Sequence, residues 1–363
     1  MVALTAVHAA NKSLVTSNAL VAVFVGGTSG IGLNTIKALA KTHGTSKSTK
    51  SLRVYLVARN PKVGEDILSE CRQLCPKGTF ILIKANDLAL LRDVDVACEE
   101  LMEVERREAQ KAGEVARIDI LCMSHCIFKP GAPRLVETKE GLDTFMSQLY
   151  YSRMRFITQL LPLLLSSTLP AHIISVFGPG RDAKLIPEDL SLRSPKNYGF
   201  MSSGSHAAYF KTFFMEHLAA QYSGKLSLVH YYPGLVVHAG PADPDAALFV
   251  RTLFSYVKPL LRMLPISVPM EENGQRTLFN ASSRYPAREA SETKGKGTKD
   301  GLEIAESSDG IIGGGAYRGN YNNEMVAMPQ QDVKLRAEGW MKKVVDHTMR
   351  AFEVIESGKV FTK

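Results

Sequence analysis

The sequence contains little of what marks a membrane-spanning, disulfide-stabilised or metal-binding protein. Its 363 residues include only five cysteines, at irregular spacing, which are too few for a disulfide framework. Cys122 and Cys126 are separated by three residues, and no His/Cys cluster with zinc spacing follows them, so we expect no metal site. No stretch reaches the ~20 apolar residues of a spanning helix, and the apolar N-terminal stretch has no basic segment ahead of it. These absences predict a soluble, cytoplasmic protein with reduced thiols.

Charge of one sign is not concentrated anywhere in the chain. Lys and Arg number 44 against 36 Asp and Glu, a net charge of +8, yet no run of five or six basic residues occurs. Scattered charge favours an ordinary solvated surface over nucleic-acid binding, so we expect no nucleic-acid partner. A net positive charge would still help to attract an anionic cofactor. The 45% hydrophobic and 22% charged residues are typical of a globular protein and exclude wholesale disorder.

Short apolar segments alternate with amphipathic helical patterns along most of the chain. The apolar segments, which are apolar on both faces as buried parallel strands are, cover residues 21–25, 53–57, 80–84, 118–123, 172–176 and 226–231. The helical patterns cover residues 33–41, 62–74, 90–112, 141–165, 205–220 and 332–356. This alternation predicts an α/β protein with a doubly wound parallel sheet, the Rossmann arrangement, and a C-terminal helical extension.

A glycine-rich loop follows the first predicted strand, and a helix begins directly after it. The first glycine permits a tight turn, the second lets the backbone approach a pyrophosphate, and the third lets the helix pack close to the strand. The helix N-terminus then offers free N–H groups and the positive end of its dipole to the phosphates. A structural turn is the alternative, but the strand–loop–helix context favours a dinucleotide site. The residues predicted to hold the dinucleotide are Gly26, Thr28, Ser29, Gly30, Ile31 and Gly32.

The ends of the second and third predicted strands supply further candidate cofactor contacts. In dinucleotide folds the residue after the second strand meets the adenosine ribose, where an arginine can pair with a 2′-phosphate. Arg59 therefore predicts NADP rather than NAD, with Asn60 beside it, unless Arg59 is simply a surface arginine. Asp87, after the third strand, is placed where the adenine edge would lie. It could equally cap the helix that follows, and the two roles do not exclude each other.

We expect one large domain with appendages rather than two independent domains. Length alone allows about two domains of ~150 residues, but α/β folds often reach ~250 residues as one unit. Residues 1–245 would form the dinucleotide-binding Rossmann domain. Residues 246–363 would pack on it as a substrate-covering segment, a polar loop at 284–301 and a terminal helix.

Several segments together resemble the short-chain dehydrogenase/reductases. GGTSGIG, VARN, NDL, the helical stretch EGLDTFMSQLYYSRMRFITQLLPLL and HYYPGLV occur in the family's order between about residues 21 and 240. The chain is most similar to divergent members found in fungal secondary-metabolite pathways, including the stretch YYSRMRF and a long C-terminal extension. The resemblance implies one Rossmann domain, a nicotinamide cofactor and reversible hydride transfer to carbonyls. It also implies that Ser124, Pro233 and Gly234 lie beside the cofactor.

The catalytic half of the family pattern is altered. The family's Tyr-x-x-x-Lys pair, counted back from the Pro-Gly dipeptide, falls on Ser202 and His206, and its helix asparagine falls on or near Tyr151. The family's serine falls at about Gly178. Carbonyl reduction needs an acid for the developing alkoxide, and a histidine with an ordinary pKa near 6.5 can donate a proton at neutral pH. We therefore predict His206 as the acid, with Tyr209 or Tyr151 as its partner. Ser202 is a further catalytic candidate, although a serine alone would be a poor acid. Buried structural roles for these side chains are the alternative.

Three functions are compatible with this sequence. The first is an NADP(H)-dependent oxidoreductase that acts on a ketone, enone or alcohol of a lipophilic secondary metabolite. The second is a non-redox isomerase, dehydratase or cyclase on the same scaffold, and the third is a cofactor-binding protein without catalysis. Loss of Tyr-x-x-x-Lys favours the second and third, whereas the intact phosphate loop favours the first, which we adopt as the prediction. The substrate, the direction of reaction and the oligomeric state are left open.

The segment at 246–268 is apolar with spaced basic residues. In the family this region covers the substrate, so it predicts a lid for a lipophilic substrate. Arg251, Lys258 and Arg262 could give weak contact with a membrane surface. An ordinary amphipathic core helix is the alternative.

Overall fold

A parallel sheet forms the centre of the computed structural model, which describes residues 1–126, 137–180, 182–236, 267–289, 298 and 301–362. Among these residues, seven strands are hydrogen-bonded in the order β3-β2-β1-β4-β5-β6-β7, and every adjacent pair is parallel. The strands are β1 (Leu20–Val25), β2 (Leu52–Ala58), β3 (Thr79–Lys84), β4 (Ile120–Met123), β5 (Ala171–Val176), β6 (Leu226–Tyr231) and β7 (Ala316–Gly319). The predicted doubly wound Rossmann fold is confirmed.

Helices cover both faces of the sheet, which is why its central strands are buried on both sides. One layer packs α1 (Leu4–Ser17), α2 (Gly30–Thr45), α3 (Pro61–Leu74) and α7 (Met270–Leu278) against the sheet. The other contains α4 (Leu91–Ala112), α5 (Ser152–Leu165), α6 (Phe200–Gln221) and α9 (Trp340–Glu356). A short helix, α8 (Gln330–Ala337), precedes α9, and the turn Thr144–Met146 and the π-helical segment Ser147–Tyr151 precede α5.

The direction in which successive strands are added to the sheet reverses between β1 and β4. The segment that follows β1 leads to β2 on one side, whereas β4 lies on the other side of β1. In open α/β sheets the ligand crevice lies at such a reversal, outside the carboxyl ends of the strands. The glycine loop after β1 and the residues after β4 therefore meet where a ligand is expected.

Some elements differ from the sequence predictions. β7, α1 and α7 were not predicted, and the single helix predicted at 332–356 is divided by Gly339, whose φ of +76° is left-handed. The hydropathy pattern does not reveal β7, because this strand contains Arg318, a buried arginine paired with Asp182 at 2.9 Å. The hydropathy pattern does not reveal α1 either, because the buried face of this helix includes Asn11, which donates to Gln275 Oε1 at 2.8 Å.

Part of the predicted substrate-covering segment, residues 246–266, lies outside the described residues. So do residues 290–297 and 299–300 of the polar loop. The lid and its basic residues Arg251, Lys258 and Arg262 therefore stay predictions. Among the described helices, none is both long enough and apolar enough to cross a membrane.

Candidate functional site

Glycine is required at one position of the loop between β1 and α2 and at one position in the first turn of α2. Gly26 has a φ of +86°, and a Cβ atom there would lie 2.5 Å from the backbone nitrogen of His125. A Cβ atom on Gly32 would lie 2.5 Å from Ser124 Oγ. The Ser124 hydroxyl in turn donates a hydrogen bond of 3.1 Å to the carbonyl oxygen of Gly26. The loop is thus held directly against the end of β4, with no room for larger residues.

The N-terminus of α2 has the features of a phosphate cradle. The helix begins at Gly30, whose φ is +59°, and the side chain of the N-cap residue, Ser29, makes no capping hydrogen bond. Ser29 is exposed, and Thr28 and Ile31 are half-buried beside it. The first N–H groups of the helix therefore have no side-chain acceptor from the cap and can receive an anion. These residues fit the pyrophosphate of a dinucleotide.

The predicted adenosine contacts lie at the ends of β2 and β3. Arg59 is exposed directly after β2, the neighbour of β1, and it forms no hydrogen bond or ion pair with other residues in the described ranges. The Asn60 side-chain oxygen accepts from the backbone N–H of Lys62 at 3.1 Å, so Asn60 caps α3. Asp87 is exposed and accepts from Ala89 N at 2.9 Å. Arg59 is thus the side chain of the three that is available to a ligand phosphate.

A cavity of about 310 Å³ lies at the carboxyl ends of β4, β5 and β6. Most of its walls are apolar; the polar groups are a serine hydroxyl, a thiol and a phenol. The lining residues are Ser124, Cys126, Phe145, Leu149, Val176, Phe177, Phe200, Met201, Gly204, Tyr232 and Pro233. Two of these, Ser124 and Pro233, are among the predicted cofactor contacts, and Ser124 also touches the glycine loop. Gly234, the next residue along, has a φ of +76°.

A second cavity, of about 390 Å³, lies between β7 and α8. Both arginines that line it are already paired. Arg318 binds Asp182 at 2.9 Å and Asp332 at 3.2 Å, and Arg336 binds Glu216 at both carboxylate oxygens. Because this second cavity lies beside β7, four strands away from β1, we take the cavity beside Ser124 as the candidate reaction site and call it the reaction cavity. No group of three metal-ligating side chains suitable for an ion occurs within the described ranges.

His206, the predicted acid, does not line the reaction cavity. Its side chain is fully buried, and its Nε2 atom accepts a hydrogen bond of 2.9 Å from the backbone N–H of Ile186. Its Nδ1 atom lies 3.3 Å from the carbonyl oxygen of Leu190. Burial lowers the pKa of the imidazole to about 4, so the ring is neutral near pH 7. These contacts give His206 a structural role and do not support its use as a proton donor.

The other three predicted catalytic side chains also form hydrogen bonds with groups that do not line the reaction cavity. Tyr209 donates to the carbonyl oxygen of Asp182 at 2.9 Å, and the Tyr151 hydroxyl lies 2.8 Å from Nε2 of His347 on α9. Burial raises the pKa of both phenols. Ser202 donates to the carbonyl oxygen of Asn197 at 2.7 Å, in the first turn of α6. The structure therefore does not bring these residues together around the reaction cavity.

Sequence analysis missed a buried arginine at the base of the reaction cavity. Arg153, on α5, is fully buried and donates to the carbonyl oxygen of His125 at 2.7 Å and to Ser175 Oγ at 3.1 Å. It also donates to the carbonyl oxygens of Val176 and Gln148. It thus joins the ends of β4 and β5, and none of its partners among the described residues is a carboxylate. The sequence could have identified Arg153, because this residue lies four residues after apolar Leu149 and therefore on the buried face of the helical pattern.

A buried lysine was missed as well. Lys211, on α6, has no accessible surface, and its Nζ atom has no hydrogen-bond partner in the described part of the chain. Nζ lies 4.9 Å from the centre of the Phe177 ring, which lines the reaction cavity. Burial, and then the charge of Arg153, lower the pKa of this amine well below its usual value. A cation between Ala207 and Met215 in an otherwise apolar helical stripe was the signal in the sequence.

Comparison with solved structures supports the fold. The structure matches an NADPH-bound carbonyl reductase from chicken fatty liver with a TM-score of 0.53 and 13% identity, covering 86% of this chain and 100% of that one. It matches the L-sorbose reductase of Gluconobacter frateurii, complexed with NADPH and L-sorbose, with a TM-score of 0.53 and 17% identity, covering 86% and 98%. At such identities the likeness is one of fold.

Sequence comparison adds evidence of kinship along nearly the whole chain, although no family model matches it. The chain is 37% identical over 357 residues to a short-chain dehydrogenase/reductase of Stachybotrys chartarum, covering 98% of both chains. It is 35% identical over 358 residues to an oxidoreductase of Emericella nidulans, covering 96% of this chain and 97% of the relative. With the glycine loop and the parallel sheet, these similarities confirm the resemblance seen in the sequence. The chain belongs to the short-chain dehydrogenase/reductase family of oxidoreductases.

Proposed function

We propose that the protein is an NADP(H)-dependent oxidoreductase that interconverts a carbonyl and an alcohol, or reduces an enone, in a lipophilic secondary metabolite. One observation carries the proposal. Ser124 contacts the glycine loop through Gly26 and also lines the apolar reaction cavity. A dinucleotide seated on the loop would therefore have its reactive end at a cavity suited to an apolar substrate.

The chain offers a complete set of groups for NADP. The N-terminus of α2 would receive the pyrophosphate, and Arg59 would pair with the 2′-phosphate because an arginine can hold it through charge-assisted hydrogen bonds. Structural neighbours described as bound to NADPH support this choice. When bound, the cofactor supplies or accepts the hydride. The protein's own task is to place the substrate oxygen and to move a proton to or from it.

Tyr232 is the proton donor in this proposal. Tyr232 lines the reaction cavity, and its backbone N–H donates to the carbonyl oxygen of Gly319 at 2.8 Å, which fixes the residue at the end of β6. A phenol is the acid that the resemblance implies for the family, here supplied from a strand end instead of from α6. Ser124 and Cys126 also bring proton-bearing groups to the cavity, but the Ser124 hydroxyl already donates to Gly26. Desolvation raises the pKa of the Cys126 thiol, which makes proton release harder. In the reverse direction the Tyr232 oxygen would take the proton from the alcohol.

The test is NADPH consumption by the purified protein with a panel of polyketide and terpenoid carbonyls. Tyr232→Phe should leave NADPH affinity within about threefold and lower single-turnover reduction by roughly 10²–10⁴, the usual contribution of a general acid. Tyr222→Phe, at the far end of α6, is the matched control and should behave like the parent. Substrate conversion without any change in NADPH would instead support the non-redox isomerase, dehydratase or cyclase. Parent-like turnover by Tyr232→Phe would exclude Tyr232 as the donor.

A further inference from the structure

Arg153 and Lys211 lie beneath the reaction cavity, and neither is hydrogen-bonded to a carboxylate within the described ranges. Arg153 is hydrogen-bonded only to carbonyl and hydroxyl oxygens, and Lys211 Nζ has no hydrogen-bond partner in the described residues. The titratable and charged groups that act on the Lys211 amine are Arg153 from α5 and the Cys126 thiol beyond β4. His230 on β6 and His125 after β4 lie near the amine too, and burial and the neighbouring cations keep both neutral. No carboxylate is in this group.

Phe177 separates Lys211 from the reaction cavity. Its ring lines the cavity, stacks on His230 with centres 6.2 Å apart, and has Lys211 Nζ 4.9 Å from its centre. Gly204 lies two helical turns before Lys211 on the same face of α6, and a Cβ atom there would sit 3.7 Å from the Phe177 ring. Phe177 therefore lies next to both the Lys211 amine and the reaction cavity.

An ammonium group is rarely buried without a counter-ion, because desolvation of an unpaired charge is costly. Lys211 therefore has two stable states, the neutral amine and the ammonium ion beside an anion. Within the part of the chain that the structure describes, the cavity walls do not supply this anion, since none of the described lining residues is acidic. An anion brought by the ligand would complete the pair.

We infer that the substrate carries an anionic oxygen, a carboxylate or an ionised acidic enol or phenol, at the Phe177 end of the reaction cavity, with Lys211 as its counter-ion. The inference rests on the proposed function and narrows its substrate class to lipophilic anions. The apolar part of the substrate would contact Phe145, Leu149 and Phe200. Arg153 adds a permanent positive charge on the same side of the cavity.

Proton uptake is the distinguishing consequence. In the free protein burial lowers the pKa of the Lys211 amine well below its usual value, and the arrival of an anion would favour its protonation. Binding of an anionic ligand near pH 7 should therefore take up about one proton per site, whereas an uncharged ester of the same shape should take up none. A structural role for Lys211 would not produce this difference.

The experiment compares 2-naphthoate with methyl 2-naphthoate. Each is titrated calorimetrically into the full-length protein saturated with NADP⁺, in two buffers of different ionisation enthalpy at one pH. The parent should bind the acid at least tenfold more tightly than the ester and take up about one proton with the acid alone. Lys211→Met, which replaces an unpaired amine by an apolar chain of similar length, should lose both effects and keep ester affinity within twofold. Lys196→Met, at an exposed lysine, is the control and should match the parent.

Equal affinity for acid and ester in the parent, absence of proton uptake, or retention of the acid preference in Lys211→Met would each overturn the inference. Lys211→Leu provides a second variant should Lys211→Met fold poorly. The outcome is separable from that of the proposed function, which is decided by NADPH consumption. A protein that reduces neutral carbonyls and binds acid and ester equally would keep the function and lose the inference. A protein that prefers the acid but never consumes NADPH would keep the inference about Lys211 and lose the proposed function.

Discussion

The backbone N–H of Ile186 donates a hydrogen bond of 2.9 Å to Nε2 of His206. This bond fixes the tautomer, because Nε2 must be unprotonated and the proton then lies on Nδ1, 3.3 Å from the carbonyl oxygen of Leu190. The neutral ring therefore fastens α6 to the segment around residues 186–190. A protonated imidazole could not accept the bond from Ile186, so the arrangement depends on pH.

His206→Gln should make stability less dependent on pH. The folded pKa of His206, about 4, lies below the ordinary value near 6.5, so the unfolded chain binds the proton first as the pH falls. The contribution of His206 to the free energy of unfolding is thus complete above pH 6.5 and is lost as the pH falls through 4. Between these values the parent should lose up to about 1.4 kcal/mol per pH unit more than the variant. Urea denaturation across this range measures the difference.

His8→Gln is the control, since His8 is exposed on α1. It should leave the pH dependence of the parent unchanged. Identical slopes for the parent and His206→Gln would show that the ring does not titrate as its contacts imply.

Gly26→Ala should abolish cofactor binding. Gly26 combines a left-handed φ of +86° with a Cβ position 2.5 Å from a backbone nitrogen, so an added methyl group must displace the glycine loop or the end of β4. Gly113→Ala is the matched control, because Gly113 has a φ of +67° but nothing within 4 Å of its Cβ position. Both variants should lose about 1 kcal/mol of stability from the left-handed backbone, while Gly26→Ala alone should lose roughly 100-fold or more in NADPH affinity. Fluorescence titration measures the NADPH affinity, and thermal melts measure the stability. Equal NADPH affinity in the two variants would contradict the assignment of the glycine loop as a phosphate cradle.

Arg59→Asp should narrow or reverse the preference for NADPH over NADH. One charge-assisted contact with the 2′-phosphate contributes about 1.5–3 kcal/mol, which corresponds to roughly ten- to hundredfold in affinity. Arg107→Asp changes the net charge equally at an exposed site on α4 and should leave the preference intact. Calorimetric titration of both cofactors is the measurement. Equal affinity of the unsubstituted protein for NADPH and NADH would refute the assignment.

The fold and the phosphate cradle could be predicted because their signals are local. Buried parallel strands are short apolar runs, and all six predicted strands lie within two residues of β1 to β6. The glycine loop could be placed because it directly joins one such strand to a helix. β7 could not be predicted, since Arg318 becomes buried only when Asp182, far away in the sequence, neutralises it.

The interior of the site was harder to predict because it depends on which way each helix faces. Counting residues back from the Pro-Gly dipeptide put His206 on the correct helix, but the rotation of α6 directs its ring to Ile186 instead of to the reaction cavity. The same rotation buries Lys211 behind Phe177. Cations on apolar helical faces, Arg153 and Lys211, were visible in the sequence, and their burial follows from that pattern. No such signal marked Tyr232, because the sequence alone does not distinguish it from other tyrosines at the ends of predicted strands.

Met201→Gln should weaken binding of lipophilic substrates without slowing the chemical step. Met201 lines the reaction cavity but is 70% exposed, so a bound apolar chain would remove it from water. Complete burial of such a side chain contributes about 1.5–3 kcal/mol, so partial burial should raise KM roughly three- to tenfold with kcat unchanged. Met349→Gln makes the same exchange on α9, where the methionine is 38% exposed, and should leave KM unaffected. Steady-state kinetics with two ketones of different alkyl length provide the measurement, and the longer ketone should show the larger effect. A fall in kcat, or an equal rise of KM in Met349→Gln, would mean that Met201 is not part of the substrate surface.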